Sequence, residues 1–282
     1  MTIAKPAVAR TLPELRRARA AWRHSGERVA LVPTMGALHA GHLDIVGRAR
    51  RIAGRVVVSI FVNPRQFAPH EDLDRYPRDE AGDLAKLASA GADLVWAPDA
   101  SVMYPSGFAT RIEPQGAALG LETDFRPHFF GGVTTVVAKL FNQVVPDIAL
   151  FGEKDFQQLA VIRQMVRDLD MNLEIAGVPT VREAAGLALS SRNAYLTPAE
   201  RGIAPVLHAA IHRLASEAST ASEIGAAEQH ARDFIVDAGF AKVDYVAVRD
   251  ADTLGPYVPG RPGRVLAAAW LGRTRLIDNV AV

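Results

Sequence analysis

The stretch LVPTMGALHAGH, residues 31–42, decides the fold of this chain. Its apolar start belongs to a run, residues 29–32, that is predicted to form a buried strand. A turn follows, and His42 then opens a helix that continues to residue 53. Gly36 and Gly41 let the backbone approach a bulky anion without obstruction by a Cβ atom. Because a helix start offers unpaired N–H groups and the positive end of a dipole, this unit is typical of an anion site.

Two histidines lie on either side of the predicted helix start. His39 and His42 are three residues apart, so their side chains can project to one side of the helix. Their ring N–H groups would then point to the place where a phosphate binds. Two alternatives stay open: both histidines could be surface or N-cap residues, or the pair could bind a metal. The metal alternative is the weaker one, because no cysteine or nearby carboxylate completes a ligand set.

Short apolar strands alternate with helices through the first 181 residues. The other predicted strands are residues 56–62, 93–97, 147–151 and 173–178, and the helices are residues 79–90, 133–145 and 156–168. An N-terminal helix begins at the capping-box pattern of Thr11 and Glu14. This alternation predicts an α/β fold with a doubly wound (Rossmann-like) parallel sheet covered on both faces. In such sheets, ligands bind beyond the carboxyl ends of the strands.

The pattern changes near residue 180. Two helices are predicted at residues 198–216 and 221–238, and they are followed by strands at residues 243–248, 265–270 and 274–279. Leu271, Gly272 and Arg273 form a hairpin signal between the last two strands. We therefore expect two domains. Residues 1–181 form the Rossmann-like domain, and residues 182–282 form a smaller α+β domain.

Composition and charge limit the classes of function. The 282 residues are 49% hydrophobic, which is enough for a sizeable core. Lys and Arg (32) nearly balance Asp and Glu (31), so the net charge of +1 provides no field that would attract nucleic acid or a membrane. The absence of cysteine excludes disulfides, thiolate zinc sites and cysteine nucleophiles. The start has no signal-peptide pattern, and the apolar runs fall short of the roughly 20 residues that span a bilayer. We expect a cytoplasmic protein that acts on small molecules, with no nucleic-acid or membrane partner.

Five motifs follow one another along the chain. A His-x-Gly-His sequence after a first strand is typical of the nucleotidylyl-transferring α/β proteins. The longer string PTMGALHAGH (33–42) is followed by NPRQF (63–67), KLFN (139–142), FGEKDFQQL (151–159) and LSSRN (189–193). Together these motifs resemble the pantothenate synthetase family, and the resemblance covers essentially the whole chain.

The resemblance implies an ATP-dependent ligase. In this family the carboxylate of pantoate attacks the α-phosphate of ATP, which gives an enzyme-bound pantoyl adenylate and pyrophosphate. The amine of β-alanine then attacks the activated carbonyl and releases pantothenate and AMP. Mg²⁺ enters with ATP, so no separate metal ligands are expected. The resemblance also implies a homodimer and a lid function for residues 182–282, since the second nucleotide-binding motif lies at the domain boundary.

The resemblance assigns the site residues as well. His42 is the proton donor, and His39 and Lys154 are the other catalytic residues. The ATP-binding residues form four segments: Met35, Gly36, Ala37, Leu38, His39, Ala40, Gly41 and His42; Gly152, Glu153, Lys154 and Asp155; Val181; and Leu189, Ser190, Ser191 and Arg192. Gln66 and Gln158 contact pantoate, and Gln66 also lies near β-alanine.

Each of these assignments has a simpler alternative. Lys154 lies between a strand and a helix, where it can reach phosphates, but it could equally be a solvated lysine between two acids. Asp155 could be an ordinary N-cap. The hydroxyls and guanidinium of residues 190–192 suit a triphosphate, whereas the alternative is a solvated turn with a surface arginine. Gln66 and Gln158 offer donors and an acceptor to a hydroxy acid, although most glutamines are simply solvated.

Two departures from the family pattern are present. Residues 126–132 read RPHFFGG where the family often has Arg-Pro-Gly-His-Phe, so no role is assigned to His128. Leu189 replaces a common methionine of similar volume, and we expect little effect. The rival functions are a nucleotidylyltransferase that acts on another small acid or phosphate, and a nucleotide-binding regulator without turnover.

Overall fold

The computed structural model describes residues 5–69, 71–218 and 223–282. The described chain forms two compact units. Unit 1 comprises the described part of Met1–Pro114 together with His128–Gly152 and Val161–Val178. Unit 2 comprises Gln115–Pro127, Glu153–Ala160 and the described part of Pro179–Val282. The predicted boundary after residue 181 lies near the last of these divisions, whereas no pattern in the sequence indicates the two short segments of unit 2.

Unit 1 is built on a parallel sheet. Its strands within the described residues are β1 (Ala7–Ala9), β2 (Val29–Thr34), β3 (Arg55–Ile60), β4 (Leu94–Trp96), β5 (Ile148–Gly152) and β6 (Glu174–Val178). They lie in the order β1-β4-β3-β2-β5-β6, and every pairing is parallel. From β2 the chain adds β3 and β4 on one side, and it later adds β5 and β6 on the other side of β2. Ligands of such sheets bind beyond the carboxyl ends of the strands at the point where the order changes, which here lies between β2 and β5. The predicted α/β class is confirmed.

Helices connect the strands and cover the sheet. In chain order they are α1 (Leu12–His24), α2 (Ala40–Ile52), α3 (Glu80–Ala90), α4 (Ala100–Met103), α6 (Phe129–Val144) and α7 (Phe156–Asp168). Between α4 and α6 the chain forms α5 (Glu122–Phe125), which belongs to unit 2, as do the first five residues of α7. The predicted capping box is present at α1, where the hydroxyl of Thr11 accepts the Glu14 N–H and the Glu14 carboxylate accepts the Thr11 N–H. Buried residues of α2 and the central strands form one apolar core.

No sequence pattern predicts strand β1. This strand has only three residues and lies at the edge of the sheet, and Val8 is 37% exposed. Neither its length nor its side-chain pattern distinguishes it from a loop. It forms because β4 offers an open edge for parallel pairing.

Helix α6 begins at Phe129, four residues before its predicted start. Gly131 and Gly132 lie in its first turn, where two glycines suggest a loop. A Cβ atom on Gly132 would overlap the backbone carbonyl of Arg65, and one on Gly131 would overlap the Arg111 guanidinium. The two glycines therefore allow α6 to approach neighbouring segments of unit 1 closely, and they do not mark a loop.

We expect Gly132→Ala to lower the free energy of unfolding by roughly 1–3 kcal/mol, because the overlapping neighbour is backbone and cannot rotate away. Gly47→Ala is the matched control, since Gly47 also lies inside a helix but its Cβ would meet only the end of the Arg51 side chain at 4.0 Å. This control should gain about 0.5–1 kcal/mol from the better helix propensity of alanine. Denaturant titration of both variants measures the difference, and equal stability of the two would contradict the close approach at Gly132.

Besides α5 and the first five residues of α7, the described part of unit 2 contains an antiparallel sheet and three further helices that precede it in the chain. The strands are β7 (Lys242–Asp250), β8 (Gly263–Leu271) and β9 (Thr274–Ala281), in that order across the sheet. The helices are α8 (Pro198–Ile203), α9 (Val206–Ala218) and α10 (Ile224–Asp237). Apolar residues of α9, α10 and the sheet form the core of this unit. The predicted α+β arrangement and the hairpin after Leu271 are both present.

The helix predicted at residues 198–216 is in fact two helices. Pro205 lies between α8 and α9. Proline has no N–H, and its ring clashes with the carbonyl four residues earlier, so it ends one helix and starts the next. The helix predicted at residues 221–238 is described from Ile224 onward, and residues 221 and 222 lie outside the described residues.

Buried polar side chains hold the short segment 115–127 within unit 2. Glu122, which is 6% exposed, pairs with Arg275 of β9 at 2.9 Å. Gln157, which is 4% exposed, donates to two backbone carbonyls of this segment at 3.1 and 3.2 Å. Its Oε1 accepts the Glu122 N–H at 3.0 Å. Since each of these groups would be costly to bury alone, the segment and the sheet of unit 2 depend on each other.

Candidate active site

The turn after β2 is held in a conformation that requires glycine. Gly36 has a φ of +83°, and a Cβ atom there would lie 3.1 Å from the Asp83 carboxylate and 3.2 Å from Ile60. Thr34 accepts the Gly36 N–H at 3.2 Å and donates its hydroxyl to the Ser59 carbonyl at 2.7 Å. The backbone of the turn is therefore fixed against the carboxyl end of the sheet.

A buried carboxylate on α3 fixes the next two residues of this turn. Asp83 is 1% exposed and accepts the N–H groups of Ala37 and Leu38, each at 2.8 Å. Lys86 lies 3.5 Å from Asp83 and donates to the Leu38 carbonyl at 2.8 Å. No sequence pattern gives Asp83 a role, because an acid in the first turn of a helix is ordinary. Only the fold brings it to the glycine turn.

His39 and His42 cap helix α2 together. His39 is the N-cap, and its Nδ1 accepts the Gly41 N–H at 3.2 Å. The Nδ1 of His42 accepts the His39 N–H at 3.4 Å, and the two ring centroids lie 4.1 Å apart. A ring nitrogen that accepts a hydrogen bond carries no proton, so in each neutral ring the proton is on Nε2. The pair therefore lies together as predicted, and the N-cap alternative also holds for His39.

Gln66 is oriented by two neighbours in unit 1. It ends a 3₁₀ turn, Pro64–Gln66, that follows β3. Asn63 donates from Nδ2 to Gln66 Oε1 at 3.0 Å, and Gln66 donates to the Met35 sulfur at 3.2 Å. Tyr104 donates its hydroxyl to Asn63 Oδ1 at 2.7 Å, and burial raises the pKa of Tyr104 to about 12. Tyr104 thus remains a donor at neutral pH, and the structure brings the predicted residues Gln66 and Met35 into contact.

Asn63 belongs to the NPRQF motif (63–67), but the sequence gives it no role of its own. It is 1% exposed, and besides Gln66 it donates to the Gly132 carbonyl at 3.2 Å. Its Oδ1 accepts the Arg65 N–H at 3.2 Å. The local signal at this position is an Asn-Pro pair, which indicates a turn but not a polar network. Its partner Gly132 lies far away in the sequence, so no local pattern could have revealed this function.

The KLFN motif places a cation near the same network. Lys139 of α6 has its Nζ 4.7 Å from the centre of the Phe108 ring. The Arg65 guanidinium lies 4.7 Å from the same ring and 4.5 Å from that of Tyr104. Burial, and then the charge of Arg65, lower the pKa of Lys139. A partly buried lysine and an exposed arginine around one ring favour an anionic ligand nearby.

The GEKD motif follows β5 as a single tight turn. The strand ends at Gly152, Glu153–Asp155 form a 3₁₀ turn, and α7 begins at the next residue. The Lys154 side chain is 19% exposed, and its Nζ lies 3.9 Å from the Asp155 carboxylate, which is 46% exposed. Lys154 is therefore largely buried, unlike the solvated lysine of the alternative interpretation. Asp155 lies in the 3₁₀ turn directly before the helix.

Two neighbouring glutamines of α7 differ in what they do. The side-chain amide of Gln157 forms hydrogen bonds with the segment 115–127, so its role is structural. Gln158 is half-buried and holds no such position in the core. Gln158 is assigned to pantoate by resemblance alone, and this role stays a prediction.

The motif LSSR lies at the end of a small hairpin in unit 2. Leu189 donates its N–H to the Val181 carbonyl at 3.0 Å, and Arg182 bridges to Ala188 within the same hairpin. The hydroxyl oxygen of Ser190 then accepts the Arg192 N–H at 3.3 Å and caps a 3₁₀ turn, Ser191–Tyr195. The structure thus brings together Val181, Leu189 and the three polar residues that the sequence analysis assigned to the nucleotide.

Sequence comparisons agree over the full length. The sequence model of the pantoate-beta-alanine ligase family matches residues 7–281. The pantothenate synthetase of Mesorhizobium japonicum is 55% identical over 280 residues, which cover 99% of each chain. That of Rhodopseudomonas palustris strain BisA53 is 57% identical over 280 residues, 98% of this chain and 99% of the relative.

Solved structures share the fold of the whole chain. The pantothenate synthetase of Thermus thermophilus has a TM-score of 0.89 at 47% identity and covers 97% of this chain, which in turn covers 98% of it. The pantoate-beta-alanine ligase of Francisella tularensis, solved as a complex with beta-gamma ATP and beta-alanine, has a TM-score of 0.83 at 33% identity, with coverage of 98% and 97%. From its sequence, its fold and its motifs, this chain belongs to the pantoate–β-alanine ligase family.

Proposed function

We propose that this chain joins pantoate to β-alanine in an ATP-dependent reaction that passes through pantoyl adenylate. The observation that carries the ligase activity is family membership over residues 7–281, with relatives at 55–57% identity. In the first step a pantoate carboxylate oxygen attacks the α-phosphorus, and the P–O bond to pyrophosphate breaks with its electron pair. In the second step the β-alanine amine attacks the acyl carbon, loses a proton and expels AMP.

The glycine turn and the start of α2 are proposed to bind the reacting phosphate. During the attack, negative charge grows on the non-bridging oxygens and on the departing pyrophosphate, so donors fixed there lower the barrier. The Nε2–H groups of His39 and His42 are such donors, because the helix cap occupies both Nδ1 atoms. We assign proton donation to His42. The remaining ATP-binding residues proposed in this loop are Met35, Gly36, Ala37, Leu38, Ala40 and Gly41.

The residues proposed to supply positive charge to the phosphates are Lys154 and Arg192. Support comes from the limited exposure of Lys154, since an ammonium held in a fixed turn loses less entropy on binding than a solvated one. The Ser190 cap similarly fixes the backbone at Arg192. The other residues of the proposed ATP set in this part of the chain are Gly152, Glu153, Asp155, Val181, Leu189, Ser190 and Ser191.

Gln66 and Gln158 are proposed to bind pantoate, and Gln66 also β-alanine. A glutamine amide offers donors and an acceptor, which suit a hydroxyl group and a carboxylate. Asn63 and Met35 orient Gln66, which lowers the cost of ordering it on the substrate. The cations Arg65 and Lys139 support an acid substrate in the same part of unit 1.

We also propose that Mg²⁺ enters as MgATP, that the enzyme is a homodimer, and that it works in the cytoplasm. Within the part of the chain that the structure describes, no three His, Cys, Asp or Glu side chains form a group that could hold a metal ion. The groups assigned to the phosphates are donors and cations, which bind phosphate oxygens directly. Light scattering tests the dimer. Separately, none of the helices in the described residues has the length and apolarity that a bilayer span requires.

Product analysis tests the proposed reaction. With ATP and Mg²⁺, the purified protein should release AMP and pantothenate in equal amounts only when pantoate and β-alanine are both present. Pantoate alone should support exchange of labelled pyrophosphate into ATP, because adenylate formation is reversible. EDTA should abolish both reactions, and excess Mg²⁺ should restore them.

The two rival functions give different results in the same assay. Exchange that depends on another acid and ignores pantoate would indicate a nucleotidylyltransferase with a different substrate. Binding of ATP without formation of pyrophosphate or AMP would indicate a regulator. Formation of pantothenate without pantoate-dependent exchange would support the ligase activity but contradict a pantoyl adenylate that forms before β-alanine binds.

A further inference from the structure

Strand β9 contacts both of the 3₁₀ turns in unit 2 that carry proposed phosphate ligands, Glu153–Asp155 and Ser191–Tyr195. It is an edge strand of its sheet, so its outer side has no strand partner within the described residues. Two adjacent residues of this strand, Asp278 and Asn279, are 5% and 2% exposed. Neither residue belongs to any of the motifs singled out in the sequence, and each is used in a specific contact.

The side chain of Asn279 binds the backbone of the turn that carries Lys154. Its Nδ2 donates to the carbonyl of Glu153 at 2.9 Å and to that of Lys154 at 2.8 Å. These carbonyls lie in a 3₁₀ turn just before α7, where a change of backbone direction would swing the Lys154 side chain. One amide group therefore fixes the peptide units on both sides of the Lys154 Cα atom.

Arg264 of β8 fixes the orientation of Asn279. Its Nε donates to Asn279 Oδ1 at 2.7 Å, which leaves the Nδ2 of Asn279 directed to the turn. The same guanidinium lies 3.5 Å from the Glu153 carboxylate and 4.2 Å from the centre of the Phe156 ring. The Arg264 side chain is 14% exposed, and it thus contacts residues at both ends of the turn.

Asp278 holds the other segment. Its two oxygens accept from Arg182 at 2.6 and 2.8 Å, which is the parallel geometry of a bidentate pair. Arg182 follows Val181 and also donates to the Gly186 carbonyl at 3.0 Å, so it locks the hairpin of residues 181–189. A further bond from Arg182 reaches the Asn279 carbonyl at 3.3 Å. The hairpin that leads into residues 189–192 is therefore attached to the same two residues of β9.

We propose that Asp278 and Asn279 are positioning residues that hold Lys154 and the 181–192 segment on one strand, at a set distance from each other, for the same phosphate chain. The proposal rests on the assignment of Lys154 and Arg192 to ATP made above. A triphosphate bound by two separate loops needs both loops in place at once. A misplacement of about 1 Å can cost on the order of 100-fold in rate. A single strand that carries both attachments prevents one loop from shifting relative to the other.

A double-mutant cycle between Asn279 and Lys154 tests the first attachment, with pantoate-dependent pyrophosphate exchange as the readout. We expect Asn279→Ala to lower kcat on the order of 10- to 100-fold with little change in the KM for pantoate. Asn279→Asp should be at least as impaired, because it places an oxygen against two carbonyls. In the Lys154→Ala background, the enzyme concentration is raised so that exchange stays measurable. There, neither Asn279 substitution should lower the exchange rate further.

The outcomes of this cycle separate two failures. If Lys154→Ala alone keeps near-normal exchange, the proposed role of Lys154 fails, and the positioning role fails with it. If Lys154→Ala is impaired but Asn279→Ala lowers exchange by the same factor in both backgrounds, only the positioning role is overturned. Should Asn279→Ala not fold, Arg264→Lys replaces it in the cycle, because it keeps the charge near Glu153 and removes the Nε donor to Asn279.

Arg182→Lys tests the second attachment. Lysine cannot form the bidentate pair with Asp278, so the hairpin loosens, and we expect the KM for ATP to rise about 10-fold. Arg232→Lys is the matched control, since Arg232 also donates from its guanidinium to a unit 2 backbone carbonyl, that of Val243, at 2.9 Å. An unchanged KM for ATP in Arg182→Lys, or an equal rise in the control, would overturn the attachment of the hairpin.

Discussion

Lys154→Ala is expected to reduce pantoate-dependent exchange of pyrophosphate into ATP by about 100- to 1,000-fold, which is the usual effect of removing one fixed group at a developing charge. The loss should appear in kcat, because charge on the phosphate oxygens increases as the reaction proceeds. Circular dichroism and the melting temperature should change little, since the ion pair of the Lys154 side chain within the described residues is a 3.9 Å contact with the half-exposed Asp155.

The control for this prediction is Lys242→Ala. Lys242 is also a lysine of unit 2 with one carboxylate partner, Asp244 at 2.9 Å, but it is 61% exposed and lies on β7. We expect its exchange rate to match that of the wild type. If both lysine variants were impaired equally, or if Lys154→Ala retained the wild-type rate, Lys154 would have no specific part in the reaction.

The second large effect is expected at His42, where two amide replacements separate capping from catalysis. Asparagine places an amide near the position of Nδ1, so His42→Asn can still accept the His39 N–H and cap α2. It has no donor at the position of Nε2, and we expect exchange to fall about 100- to 1,000-fold. Glutamine reaches the position of Nε2, so His42→Gln should restore part of the activity although it caps the helix less well.

Rate and stability are measured on both His42 variants. The expected result is that activity follows the Nε2 position and stability follows the Nδ1 position. If His42→Asn were as active as the wild type, the histidine would serve only the helix cap. Loss of activity in proportion to loss of folded protein in both variants would lead to the same conclusion.

The strand–turn–helix of residues 29–52 could be predicted because every signal for it is local. Apolar residues mark β2, Gly36 marks the turn, and α2 follows from Ala40, two residues before its predicted start. The parallel sheet follows from repeating this pattern, since parallel strands need helical crossovers. Likewise, Thr11 and Glu14 are close enough in sequence for their capping box to be recognised by spacing alone.

The supports of the site could not be predicted, because each one joins residues that are far apart in the sequence. Asp83 reaches Ala37 and Leu38 across 46 and 45 positions. Asn279 reaches Glu153 and Lys154 across 126 and 125 positions. No periodicity or motif records such a pair. The chain had to be folded before a buried carboxylate and a buried amide could be seen to hold the two proposed phosphate-binding turns.

Side-chain roles within a motif also depend on the fold. In FGEKDFQQL, Gln157 and Gln158 are identical in kind, and only the position of Ala117, Gly120 and Glu122 makes Gln157 structural. The motif string alone does not contain this distinction. By contrast, the two histidines lie together because a helix start places residues three apart on one side.

Because the two units alternate along the chain, neither of them is a separable module. The sequence changes unit after residues 114, 127, 152, 160 and 178, so no single cut separates one unit from the other. A gene fragment for residues 179–282 would encode the β7–β9 sheet without Glu122, one of the two carboxylates that pair with the largely buried Arg275. It would also omit the Lys154 turn that Asn279 holds. Residues 179–282 are therefore not a self-contained module, and we expect that transplanting them alone into another protein would not give a folded unit 2.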